Sequence, residues 1–153
     1  MILIKKAIRY AIEAHKNQAR KGTVFPYVEH PIHVGMLLLK ANQREEVVVA
    51  GILHDTVEDT EVTEEDLLRE FGEEVMLLVR SASEPDRELT WKERKDHTIE
   101  FLSSAPYETK MIGLCDKLSN LMDMEAAFLS LISKSQNANF VTCFFLNSAK
   151  IIR

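Results

Sequence analysis

Four side chains from three separated stretches carry the most chemistry in this sequence. They are His30 in Tyr27-Val28-Glu29-His30-Pro31, the doublet His54-Asp55 in Leu53-His54-Asp55-Thr56-Val57-Glu58-Asp59-Thr60, and Asp116 in Cys115-Asp116-Lys117-Leu118-Ser119-Asn120. Two imidazoles and two carboxylates approaching from different sides suit a divalent cation that keeps positions open for water and a phosphate oxygen. Such a set serves Lewis-acid activation of water and neutralisation of phosphoryl oxygens. Glu58 and Asp59 follow Asp55 closely enough to line the same mouth without ligating, where a carboxylate accepts a proton or orients the nucleophile. Taken singly, the same residues have plainer readings. Asp116, set among apolar positions, needs a partner, and Lys117 or a helix end would serve as well as a cation. A lone histidine closing an apolar helix is commonly a capping or core group, but four polar residues gathered straight after one buried helix favour a site.

The elements that would position them read as helices, and the expected fold is an all-α bundle. Ile4, Ala7, Ile8, Ala11 and Ile12 form one apolar stripe, interrupted by Arg20-Lys21-Gly22-Thr23, near which the first helix is expected to end. Pro31 suits the first turn of a second helix, where its missing N–H has no partner to lose, so His30 would stand at a helix entrance and the apolar pattern would run on to Asn42. Arg44 to His54 reads as a third, largely buried helix. Its β-branched run would also fit a strand, but the flanks have helical length and spacing. Thr63-Glu64-Glu65-Asp66 is a helix N-terminus with acids in its first turn, and Phe71-Gly72 a stop before a helix carrying Val75, Leu78 and Val79. Ser83 to Glu88 is a loop, Trp91 to Leu102 a helix, and Ser103 to Pro106 a short connection. Thr109 to Phe128 is a final helix whose apolar Met111, Ile112, Leu114, Cys115, Leu118, Leu121 and Met122 would embed Asp116.

Composition limits the function classes. With 153 residues, 46% apolar and 28% charged, the chain is expected to form one domain over 1–153. No stretch approaches a membrane span, and the N-terminal charges follow the apolar residues, opposite to a secretory signal, so the expected location is cytoplasmic. Cys115 and Cys143 form no short-spaced metal pattern and read as reduced, buried thiols. A net charge of −5 without a long Lys/Arg run argues against nucleic acid as a partner, while a small anionic substrate held locally is compatible with it.

His15-Lys16-Asn17-Gln18-Ala19-Arg20-Lys21-Gly22, Pro26-Tyr27-Val28-Glu29-His30-Pro31, Leu53 to Thr60 and Asp116-Lys117-Leu118-Ser119-Asn120 resemble, in order and spacing, the HD-superfamily hydrolase domain of RelA/SpoT-type enzymes and the stand-alone small alarmone hydrolases. The resemblance covers residues 1–128, and 129–153 diverge. It implies that His30, His54, Asp55 and Asp116 ligate the metal, usually manganese, and that Glu58 and Asp59 handle the attacking water and its protons. By the same resemblance Arg20 and Lys21 line the nucleotide pocket, and Asn120 lies near the sugar and phosphates. The implied reaction removes the 3′-pyrophosphate from guanosine tetra- or pentaphosphate, leaving GDP or GTP. Hydrolysis of another nucleotide, or nucleotide binding without catalysis, are the competing readings.

On their own, Arg20 and Lys21 would be solvated loop charges, but this loop leads into the His30 segment. There a guanidinium can stack on a purine while an ammonium neutralises phosphate. Tyr27 reads equally as a neighbour of the base or as packing in the core or behind the ligand residues. His15 reads as a half-exposed helix histidine outside the ligand set, Asp96-His97 as a solvent-facing pair, and Trp91 with Arg94 and Lys95 as an anchoring aromatic beside surface charges. The apolar, acid-poor ending after Met124 is open to three readings: a last core helix, packing on another subunit as a homo-oligomer, or an altered terminus.

Overall fold

A computed structural model describes residues 2–20, 23–83, 90, 92, 100 and 103–134. They are helical, with no strand among them beyond an isolated bridge between Ala19 and Pro26. The helices are α1 (Ile2–Ala14), α2 (Glu29–Lys40), α3 (Glu45–Leu53), α4 (Thr56–Asp59), α5 (Glu64–Phe71), α6 (Glu73–Ala82) and α7 (Tyr107–Lys134). The chain divides into two compact units, Met1–Ser119 and Asn120–Arg153, and α7 runs through both.

In the first unit α3 is the central element. Every residue from Val47 to Leu53 is buried, the mark of a helix covered on all sides, which decides the helix-or-strand ambiguity of its β-branched run. Ala7 and Ala11 of α1 and Val34 and Leu38 of α2 join it in one core with Leu67, Phe71, Val75, Leu78, Val79, Ile112 and Cys115. α5 begins with a capping box, in which Asp66 N donates to Thr63 Oγ1 at 3.2 Å and Thr63 N to the Asp66 carboxylate at 3.1 Å. Gly72 then reverses the chain at φ 87°, a conformation that costs glycine little, and α6 starts at once.

Two other glycines let α2 and α3 approach closely. A Cβ on Gly35 would lie 2.3 Å from Ile52 Cγ1, and one on Gly51 2.2 Å from Leu38 Cδ1. Ile52 is buried and stiff at χ1, so it cannot swing aside. Gly35→Ala is therefore expected to destabilise the protein by about 1–2 kcal/mol, the overpacking cost exceeding the gain in helix propensity. A urea denaturation midpoint at or above that of the parent would contradict this.

Several boundaries depart from expectation. α1 stops at Ala14, ahead of the basic loop, because His15 turns inward and the Ala19–Pro26 bridge reverses the chain. Ile12, expected in the apolar stripe, is exposed. Ser103 and Ser104 are helical. α7 buries only part of its expected apolar face. Ile112 and Cys115 are covered in the first unit, but Leu114 and Leu118 are exposed, as are Leu121, Met122, Met124 and Leu129 in the second. Most of the helix expected over Trp91 to Leu102 lies outside the described residues, as do Lys21, Asp96-His97, Pro85 and the ending from 135, which includes Cys143.

Candidate metal centre

The three separated stretches meet in the first unit. His30 is the second residue of α2, His54 and Asp55 stand between α3 and α4, and Asp116 lies on α7. One ligand atom each from His30, His54 and Asp116 falls within 4.8 Å of the others. His30 Nε2 is 3.2 Å from Asp116 Oδ1 and 3.7 Å from Asp55 Oδ2, and His54 Nε2 is 2.9 Å from Asp55 Oδ1 and 3.9 Å from Asp116 Oδ1. Both imidazoles are buried, while the two carboxylates keep a little exposure, 16% each, which leaves a way in for a small ligand.

The imidazoles are oriented as donors to a cation. His54 Nδ1 donates to the Gly51 carbonyl at 2.9 Å, so in the neutral ring the lone pair sits on Nε2. That buried Nε2 has no hydrogen-bond partner even though Asp55 Oδ1 is beside it. With the neutral ring, two electron-rich atoms face each other there and call for a positive charge, a proton or a cation, and the donor set fits a divalent metal. His30 is held from behind by Ser119 Oγ, 3.1 Å from its Nδ1, and the same hydroxyl lies 2.9 Å from His33 Nδ1. The Lys117 pairing considered for Asp116 is also present. Lys117 Nζ takes Oδ2 at 2.8 Å, leaving Oδ1 to the imidazoles.

The charges follow from this geometry. Burial works against an ionised His54 ring, but the adjoining Asp55 and Asp116 carboxylates and the Gly51 carbonyl outweigh it and push the metal-free imidazole up to about 9. Burial opposes the Asp55 carboxylate too, yet His54, the Tyr27 hydroxyl and His30 hold it at about 2. Asp116 is likewise kept well below the usual carboxylate range, burial being outweighed by His30, His54 and Lys117. At neutral pH a proton on His54 thus takes the place of the cation, and metal must displace it. Mn2+ binding at pH 7 is expected to release about one proton, with affinity falling about tenfold per pH unit below 9. Calorimetry in buffers of different ionisation heat measures this. The raised imidazole stabilises the metal-free fold fully below about 6.5 and loses that contribution as pH rises through about 9, so melting in EDTA should fall across that window.

Glu58 and Asp59 are half-buried on α4, directly after Asp55. Arg20 places its guanidinium 5.8 Å from the centre of the Tyr27 ring. Lys21 lies outside the described residues, and Asn120 is the first residue of the second unit, one turn past Asp116 on α7. Tyr27 takes the packing place behind the candidate ligands, its hydroxyl lying 2.5 Å from Asp55 Oδ2 and 3.2 Å from Asp59 Oδ2. One residue departs from its sequence reading. His15, expected to be half exposed, is buried against Tyr27 with ring centres 5.0 Å apart, its Nδ1 2.7 Å from Gln18 Oε1. Ser119 and His33 went unrecognised because nothing in their local sequence sets them apart.

The chain matches the HD domain family over residues 7–142. It is 36% identical to the guanosine-3′,5′-bis(diphosphate) 3′-pyrophosphohydrolase MESH1 of Danio rerio over 127 residues, 80% of this chain and 69% of that protein. Against the Homo sapiens enzyme of the same name it is 37% identical over 124 residues, 78% of this chain and 68% of that one. Among solved structures it superposes on a metazoan ortholog of SpoT that hydrolyzes ppGpp and plays a role in starvation responses. The TM-score there is 0.75 at 37% identity, covering 82% of this chain and 72% of the other. A crystal structure of a Listeria monocytogenes protein gives a TM-score of 0.62 at 47% identity over 73% and 70% of the two chains.

Proposed function

This chain belongs to the HD domain family, and on that premise we propose that it is a metal-dependent hydrolase removing the 3′-pyrophosphate from guanosine 3′,5′-bis(diphosphate)-type nucleotides, giving GDP or GTP and pyrophosphate. The observation that carries this reading is the convergence of His30, His54 and Asp116 beside Asp55. These four residues would hold the cation, manganese in our reading. When bound, it supplies a Lewis acid that polarises water and the phosphoryl oxygens.

The remaining roles fall to the protein. Gly51 and Ser119 fix the two imidazoles from behind, so that the ligand lone pairs need no rearrangement. Glu58, with Asp59, takes the proton of the attacking water and returns one to the ribose 3′-oxygen as the phosphorus–oxygen bond to the pyrophosphate breaks. Arg20 offers a flat cationic face to the guanine, and Lys21 and Asn120 are assigned to phosphate and sugar. The acidic chain can hold so anionic a substrate if the cation and a few basic groups, Arg20 and Lys21 in our reading, supply positive charge locally.

Among the described residues no helix is long and apolar enough to cross a membrane. We place the protein in the cytoplasm and in the stringent response, following the starvation role of the metazoan structural relative.

Assaying the purified protein with Mn2+ over a nucleotide panel tests the reading. Pyrophosphate released from the 3′ position of guanosine 3′,5′-bis(diphosphate) is expected. Orthophosphate release, or preference for another nucleotide, would overturn the substrate assignment, and binding without turnover would overturn the catalytic one.

A further inference from the structure

Tyr27 is neither a ligand nor an acid in the scheme above, yet its hydroxyl touches one of each. It lies 2.5 Å from Asp55 Oδ2 and 3.2 Å from Asp59 Oδ2. A phenol has one proton, which the hydroxyl here shares between two carboxylates, with Asp55 the nearer acceptor and Asp59 the second. Oδ2 is thereby engaged, which leaves Oδ1, 2.9 Å from His54 Nε2, as the oxygen available to an ion.

The ring is held in place independently of its hydroxyl. It packs on His15 at 5.0 Å and edge-on to His30 at 6.0 Å between ring centres. Its backbone N–H donates to the Gln18 carbonyl at 2.9 Å, and Gln18 Nε2 donates to the Asp59 carbonyl at 2.5 Å, so the loop before α2 and the end of α4 are tied together. Removing the oxygen alone leaves all of these contacts standing.

We propose that Tyr27 is a positioning residue whose single hydroxyl fixes Asp55 as a one-oxygen ligand and holds Asp59 in register with it. The inference rests on reading the site as a metal-dependent hydrolase.

Tyr27→Phe in the full chain is the test, with Mn2+ binding followed by calorimetry and metal analysis without nucleotide, and turnover of guanosine 3′,5′-bis(diphosphate) measured separately. The dissociation constant for Mn2+ should rise about 10–100-fold and kcat fall by a similar factor, as for other partners that orient metal ligands. KM should change little, and melting in EDTA should stay cooperative, with a midpoint lowered only by the loss of one hydrogen bond. In a cycle with Asp59→Asn, the double variant should lose less in kcat than the product of the single losses, because both changes break one linkage.

Unaltered Mn2+ affinity would overturn the proposal. So would a loss confined to KM, which would assign the ring to the nucleotide base, or a loss of cooperative melting in EDTA, which would make the hydroxyl a prop of the fold. Because the cation readout involves no nucleotide, an error in the substrate assignment leaves it intact.

Discussion

Asp55→Ala is expected to lose bound metal and turnover together. Asp55 reaches towards both imidazoles, with Oδ1 2.9 Å from His54 Nε2 and Oδ2 3.7 Å from His30 Nε2, so its removal takes away a proposed ligand and a negative charge beside them. Losing a residue that merely orients a ligand costs about 10–100-fold in affinity or activity, and loss of the ligand itself must exceed that. Metal analysis of the purified variant should find the site depleted at Mn2+ concentrations that saturate the parent, with kcat reduced by more than about a hundredfold. The metal-free fold should survive, because the buried core lies elsewhere, in α1, α2, α3, α5, α6 and α7. Full activity in the variant, or in protein stripped of metal, would remove the mechanism.

Glu58→Gln should separate what Asp55→Ala removes at once. Glutamine has the same shape and keeps a hydrogen-bonding oxygen, but it cannot accept the proton of an attacking water. Glu58 sits on α4, three residues after Asp55, outside the ligand set. Metal content should match the parent while kcat falls about 10²–10⁴-fold, the usual contribution of a positioned acid or base. KM should move far less, since nucleotide contacts are assigned to Arg20, Lys21 and Asn120. A variant with parental kcat would transfer the proton role to Asp59 or abolish it.

Much of this arrangement could be read from sequence because it depends on local chemistry. Pro31 marked the start of α2 and so placed His30, Thr63 announced a helix N-terminus, and Gly72 announced a stop. The ligand residues drew attention because imidazoles and carboxylates bordering apolar runs need a compensating charge. What escaped depends on which segments become neighbours. His15 looks like an ordinary helix histidine until the chain reverses after α1 and brings Tyr27 against it. Ser119 is unremarkable until α7 sets it behind His30 and His33, 89 and 86 residues away along the chain. The apolar residues of α7 misled because helical period reveals a face but not whether another element covers it, and Leu114 and Leu118 remain open to solvent.

The glycines at the α2–α3 seam also bear on the reactive centre. Gly35 follows His30 by five residues on α2 and Gly51 precedes His54 by three at the end of α3, so the two backbones that these glycines bring together also carry the two imidazoles. A methyl group at either position would part those backbones and so disturb, from within the hydrophobic interior, two side chains of the reactive centre.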